Sequence, residues 1–259
     1  IQTLKEVDWI AAEDTRNTGL LLKHFDISTK QISFHEHNAK EKIPDLIGFL
    51  KAGQSIAQVS DAGLPSISDP GHDLVKAAIE EEIAVVTVPG ASAGISALIA
   101  SGLAPQPHIF YGFLPRKSGQ QKQFFETKKD YPETQIFYES PHRVANTLEN
   151  MLKVYGDRSV VLVRELTKIY EEYKRGNISE LLESIADTPL KGECLLIVEG
   201  ASQDEEEKDE EGLFLEIQSR IQQGMKRNQA IKEVAKLYQR NKSQLYAAYH
   251  DWEENPEND

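Results

Sequence analysis

Across the first half of the chain, short apolar runs alternate with segments whose apolar residues return every three or four positions. The runs at 9–13 (WIAAE), 31–35 and 55–59 read as strands, and the segments at 15–25, 43–50, 73–82 and 92–101 as helices. In 43–50 the apolar residues are Ile43, Leu46, Ile47 and Leu50, the spacing of one helix face. The run 83–88 (IAVVTV) is rich in β-branched residues and is expected to be a fully buried strand. This alternation admits few folds, because strands apolar on both faces need a parallel sheet with helices on both sides. Residues 83–115 carry no charged side chain, which raises the question of a membrane span. Pro89, Gly90, Gly94, Gly102, Pro105 and Pro107 interrupt them, so no apolar run reaches the ~18 residues a span needs. The pattern opens on a helical fragment at 4–7 rather than on a strand, so a strand and its loop are expected ahead of Ile1.

Residues 104–117 (APQPHIFYGFLPRK) hold three prolines and read as a hinge. Beyond it a second alternation follows: helix 120–129, strand 135–138, helix 144–155, strand 159–164, helix 178–186 and strand 194–199. The expected organisation is an α/β fold. It comprises one α/β domain over 1–106, a second over 107–200, an acidic linker over 201–212 and a small basic helical domain over 213–259. The linker contains SQDEEEKDEEG, a solvated charge run. In the last domain, two short helices are expected around residues 239–242.

Charge narrows the choice of partner. The chain carries 42 acidic and 29 basic residues, a net charge of −13, so its overall field repels nucleic acid. Between residues 220 and 247 the balance reverses: Arg220, Lys226, Arg227, Lys232, Lys236, Arg240 and Lys242 face only Glu233. Any RNA contact must use such a local patch. The single cysteine, Cys194, excludes an internal disulfide and a Cys-rich zinc site. Residues 1–20 show no basic start followed by an apolar stretch, so no secretory signal is expected and the cytoplasm is the expected compartment.

Four kinds of motif bear chemistry. Residues 59–71 (VSDAGLPSISDPG) follow a strand and precede a helix, the place where open α/β sheets bind ligands. Ser60, Asp61, Ala62 and Gly63 are the binding candidates there. Asp69 and Pro70 read more simply as an N-cap and first helical residue. Residues 88–93 (VPGASA) form a second strand-to-helix turn, whose free amides at Ser92 can hold a carboxylate. Neither GxxxxGK[ST] nor GxGxxG is present, which disfavours a phosphate-binding loop and an ordinary dinucleotide fold. Four polar clusters follow strands: 13–16 (EDTR), 35–38 (HEHN), 139–143 (ESPHR) and 164–168 (RELTK). They are expected to converge on one crevice. His35 and His37 with Glu36 resemble part of a metal site, but no third ligand has a recognisable spacing, so no metal is expected. Lys191, Gly192 and Glu193 read as a turn into a buried strand.

These segments carry a family resemblance. AAEDTR, HEHN, SDAGLPSISDPG, VPGASA, GFLPRK, ESPHR, RELTK with Glu171, and KGE occur in this order over residues 4–200. The chain thereby resembles the ribosomal RNA small subunit methyltransferase I family, cytidine 2′-O-methyltransferases of 16S rRNA. That family belongs to the tetrapyrrole-methylase-like class of S-adenosylmethionine enzymes. The resemblance implies two α/β domains with the donor in the cleft between them, a homodimer, and 16S rRNA of the small ribosomal subunit as partner. It carries donor binding onto Ser60–Gly63, Ser66, Ala91, Ser92, Ala93, Glu139, Lys191, Gly192 and Glu193. Glu139, His142, Arg143, His35, Arg16 and Lys168 become catalytic candidates, with His142, Glu139 and His35 as possible bases. Arg16, His37, Asn38, Arg143, Arg164, Lys226, Arg227, Lys232, Lys236, Arg240 and Lys242 become RNA-binding candidates. The family's opening strand and GTPIGNL loop are not found before Ile1. Competing readings are a methyltransferase of the same class acting on a tetrapyrrole or a protein side chain, a non-catalytic RNA-binding module, and a metal hydrolase built on His35 and His37.

Overall fold

The computed structural model describes residues 1–186, 189–202, 210–222, 224–238 and 240–253. They form two compact units, Ile1–Ala201 and Ser202–Asp259. The first unit opens with α1 (Gln2–Glu6), β1 (Trp9–Ala12), α2 (Thr15–His24), β2 (Lys30–Ser33), α3 (Ala39–Lys51), β3 (Ile56–Val59), α4 (His72–Glu80) and α5 (Ala93–Ser101). It continues with β4 (His108–Phe113), α6 (Ser118–Glu126), β5 (Thr134–Glu139), α7 (Val144–Tyr155), β6 (Ser159–Arg164), β7 (Glu172–Asn177), α8 (Ile178–Ile185) and β8 (Cys194–Val198). No helix among the described residues is long and apolar enough to cross a membrane.

The first sheet is parallel, in the order β2-β1-β3, with Ala11 opposite Ile32 and Gln58. Its middle strand is the most apolar: Ile10, Ala11 and Ala12 are fully buried. The expectation for residues 83–88 fails. They form no strand, and Val86 is 84% exposed. A β-branched run becomes a strand only where a neighbour offers a ladder. Residues 83–88 do not join the free edge of β3, which pairs with β1 alone.

The second sheet has the order β4-β5-β8-β6-β7. Only β4 and β5 are parallel; β5–β8, β8–β6 and β6–β7 are antiparallel. Strand alternation sorts its side chains onto two faces. Phe137, Leu162 and Leu196 pack with Leu148 and Met151 of α7 and Ile178 and Leu181 of α8. Ile136, Val161, Leu195 and Ile197 pack with Ala97 and Leu98 of α5. Helix α5 lies in the expected first domain yet covers a face of the second sheet. The packing therefore crosses residue 106, within one compact unit. Strand β7 (EYKRGN) was not expected, since it is polar. It is an edge strand, where charge blunts further pairing.

The second unit holds α9 (Glu210–Gln222), α10 (Arg227–Leu237) and α11 (Lys242–Glu253). Its own core consists of Leu213, Phe214, Ile217, Ala230, Ile231, Val234, Ala235, Leu245 and Tyr249. Glu210, Glu211 and Gly212 of the expected linker are helical. Acidic residues suit a first helical turn, where they meet the positive end of the helix dipole. Residues 203–209 of the acidic run lie outside the described residues.

Candidate active site

A cavity of about 380 Å³ gathers loops from the ends of both sheets of the first unit. The loop after β3 contributes Ala62, Gly63, Leu64, Ile67, Ser68 and Asp69, and the start of α5 contributes Ser92 and Ala93. From the second sheet come Phe113 at the end of β4, Tyr138 and Glu139 at the end of β5, and Ser140 and Pro141 just beyond. Val163 and Leu166, with Gly192, Glu193, Cys194 and Leu195, complete it. The volume falls in the range of small-molecule sites, and the walls are mainly apolar with a few convergent polar groups.

The long loop is held in a special backbone conformation. Gly63, Ser66 and Gly71 have φ of 73°, 73° and 149°. A Cβ at Gly71 would lie 2.0 Å from Gln58 Nε2, which donates to Pro70 O over 2.5 Å. The expected cap is corrected here: α4 starts at His72 with Gly71 as N-cap, which leaves Asp69 on the cavity wall. Burial raises the Asp69 carboxyl above its ordinary pKa; the Ser60 hydroxyl opposes that rise, and the Asp61 charge adds to it.

A second brace joins RELTK to KGE. Glu165 Oε1 accepts from Glu193 N at 2.9 Å and from Lys168 Nζ at 3.0 Å, and Lys168 Nζ also reaches Glu193 Oε2 at 3.1 Å. The Glu193 amide is the main reason the Glu165 carboxyl sits below its ordinary pKa. Gly192 has φ of 85°, and any Cβ there would lie 2.2 Å from Glu165 Oε1, so this turn requires glycine. Burial pushes the Cys194 thiol up to about 11, so it is no nucleophile at neutral pH.

Of the four polar clusters, two reach the cavity. ESPHR supplies Glu139, Ser140 and Pro141, and RELTK supplies Leu166. The other two do not line it. In EDTR, Arg16 is exposed and bound bidentate to Asp14, with Nε–Oδ1 3.0 Å and Nη2–Oδ2 2.6 Å. Glu13 accepts from Asp61 N at 3.2 Å, and Asp61 accepts from Asn17 Nδ2 at 2.8 Å. In HEHN, Asn38 builds the turn: it accepts from His35 N at 2.8 Å and donates to Ser33 O at 3.1 Å. His37 is exposed, its ring 6.0 Å from that of His35, whose Nδ1 is buried without a partner. No group of three or more metal-binding side chains occurs among the described residues.

The other candidates lie off the cavity lining. Ser60, Asp61, Ser66, Ala91 and Lys191 do not line the cavity, although Ala91 O lies 3.6 Å from the Cβ position of Gly63. His142 is exposed, next to cavity-lining Pro141. Arg143 turns inward, donating to Leu114 O at 3.1 Å and Pro115 O at 2.7 Å. Arg164 pairs with Glu172 at 3.0 Å. In the second unit Lys226, Lys232, Lys236, Arg240 and Lys242 are exposed, whereas Arg227 pairs with Glu253 at 2.8 Å. Phe113, Tyr138, Val163, Leu166 and Leu195 were not named from the sequence, because apolar residues near strand ends look like ordinary core.

A crevice at strand ends, fed by one long glycine-containing loop and closed by a second α/β layer, defines a class. The chain belongs to the tetrapyrrole (corrin/porphyrin) methylase family, whose profile matches residues 1–182. Within that class it is 70% identical over 253 residues to the ribosomal RNA small subunit methyltransferase I of Streptococcus pyogenes serotype M1, covering 97% of this chain and 88% of that protein. The Bacillus subtilis protein of the same name is 46% identical over 257 residues, with 96% of this chain and 87% of the relative covered. Among solved structures, a cobalt precorrin-4 methyltransferase of cobalamin biosynthesis superposes with a TM-score of 0.55 at 13% identity, covering 76% of this chain and 86% of that one. That likeness shows the fold alone.

Proposed function

We propose that this protein transfers a methyl group from S-adenosylmethionine to the ribose 2′-oxygen of a cytidine in the decoding centre of 16S rRNA. In this reading it works in the cytoplasm, as expected for a chain with no secretory signal at residues 1–20, and as a homodimer, which the family resemblance implies. The observation that carries the substrate is the 70% identity to a ribosomal RNA methyltransferase over almost the whole chain, where the fold alone would equally suit a tetrapyrrole.

The cavity suits the donor. Gly63 and Ala62 leave room for close backbone approach, and Phe113, 64% exposed, offers a ring face to a nucleobase. Asp69 puts a half-buried carboxylate where a cationic sulfonium or ammonium is welcome. When bound, the donor supplies an already activated methyl group. The chain's task is then to orient the ribose and take up its proton. His142 adjoins the cavity-lining Pro141 and is the base in this reading. Glu139 is occupied by buried partners, and His35 lies off the cavity. The exposed bases of α10 and α11 hold phosphates.

Labelled donor offered with unmodified small subunits, naked 16S rRNA and a tetrapyrrole precursor tests this reading. Label fixed on a ribose 2′-oxygen of the rRNA is the expected result; label on the tetrapyrrole overturns it. Asp69 gives a second expectation. Because burial favours its protonated form and a bound cation favours its charged form, donor affinity is expected to fall as pH drops through its raised pKa. Asp69→Asn is expected to lose about 10–100-fold in donor affinity at neutral pH. Calorimetric titration of that variant is expected to show none of the native pH dependence over this window.

A further inference from the structure

A line of buried polar side chains runs through the helical face of the second sheet, away from the cavity. Ser118 Oγ donates to Asn150 Oδ1 at 3.0 Å, and Asn150 Nδ2 donates to Gln121 Oε1 at 2.6 Å. Gln121 Nε2 donates to Thr147 Oγ1 at 2.9 Å, and Thr147 Oγ1 donates to Glu139 Oε2 at 2.7 Å. Every bond points the same way, towards the carboxylate. Gln121, Thr147, Asn150 and Glu139 are each at most 2% exposed. The other carboxylate oxygen accepts from Ser140 N at 2.8 Å and faces Arg143 Nε at 3.3 Å. Arg143 in turn holds the carbonyls of Leu114 and Pro115.

Such a line is costly to bury. Three buried polar side chains, Gln121, Thr147 and Asn150, and the Glu139–Arg143 ion pair take the place of apolar groups that would pack there without desolvation. What the line connects gives the reason. Its far end lies on α6 and α7, and its near end fixes two cavity walls. Glu139, Ser140 and Pro141 form one; the carbonyls of Leu114 and Pro115 directly follow Phe113, which forms the other. Phe113 and Tyr138 meet across this corner with ring centroids 5.5 Å apart. A networked chain with every member satisfied is rigid, and it specifies one arrangement of that corner.

We propose that Thr147 and Gln121 are positioning residues for methyl transfer: through Glu139 and Arg143 they set the Phe113–Tyr138 corner that receives the donor. Glu139 is then an anchor and not the proton acceptor. This rests on the donor-site reading above.

The test compares Thr147→Val, Thr147→Ser and Gln121→Leu with the native full chain. Thr147→Val keeps the side-chain shape but strands Glu139 Oε2 and Gln121 Nε2. It is expected to raise the donor Kd and KM about tenfold with kcat changed less, and Thr147→Ser is expected to restore both to within about twofold. Gln121→Leu is expected to repeat the Thr147→Val pattern from one link further away. Should Thr147→Val fail to fold, Arg143→Lys reads the near end instead. Its ammonium keeps the charge beside Glu139 but does not span two carbonyls, so the same rise in donor Kd is expected. Variants that melt earlier yet bind donor with native Kd would overturn the proposal and leave the line purely structural. Absence of donor binding by the native protein would instead overturn the donor-site reading.

Discussion

Replacing Lys226, Lys232, Lys236, Arg240 and Lys242 together by glutamine is expected to weaken rRNA binding by about 10²–10³-fold at about 0.1 M salt, with donor affinity unchanged. The five are chosen on geometry. Each is exposed, whereas the other two bases of the patch are engaged. Arg220 pairs with Glu216 at 2.8 Å and Glu233 at 3.2 Å, and Glu216 is the main reason its pKa is raised. Arg227 pairs with Glu253 and lies over the Tyr246 and Tyr249 rings. On single-stranded RNA each lost phosphate contact flattens the log affinity–log salt slope by about 0.7, so five flatten it by about 3–4. Filter binding across a salt series measures this. An unchanged slope would remove the second unit from RNA recognition. Donor affinity is expected to hold because every residue lining the cavity lies in the first unit.

The parts of the fold that the sequence revealed are those where local pattern and tertiary setting agree. Residues 9–13 and 55–59 are apolar runs flanked by helix signals, and they became β1 and β3. Residues 83–88 are apolar and β-branched yet make no ladder with the free edge of β3, since strand identity depends on pairing that composition does not encode. β7 is the converse: a polar segment recruited by the free edge of β6. For the site, the sequence shows which residues follow strands but not which way they turn. Ala62, Gly63, Ser92, Ala93, Glu139, Gly192 and Glu193 line the cavity, several of them small. Arg143 reads as a phosphate ligand by type, yet its nearest carbonyls, in the hinge at 114–115, draw it inward. Asp69 reads as a cap because Pro70 follows, but the strained loop delays α4 to His72 and makes the carboxylate a wall.

Phe137→Ala is expected to destabilise the first unit by about 3–5 kcal/mol, seen as a Tm lower by roughly 10 °C in its transition. Phe137 is fully buried in β5. It stacks on Tyr111 with centroids 5.3 Å apart and meets Phe124 and Phe125 edge-on at 6.2 and 6.1 Å. Truncation removes the ring that joins these aromatics and leaves a cavity the sheet cannot close. Phe137→Leu keeps apolar volume and is expected to cost less. Strand alternation gives the same substitution a functional reading. Phe137 and Glu139 share a face of β5: Phe137 belongs to the core with Leu148 and Met151 of α7, and Glu139 accepts from Thr147 of the same helix, while Tyr138 turns to the other face and packs with Phe110. Loss of the ring lets β5 shift, and that shift moves the corner where Tyr138 meets Phe113. Donor added at saturating concentration separates the two effects, because a ligand that binds only the folded form raises Tm according to its affinity. An equal rise in native and variant protein would confine the damage to the core. A smaller rise in Phe137→Ala, with a native-sized rise in Phe137→Leu, is the expected result, and it would tie the aromatic core to the shape of the donor cavity.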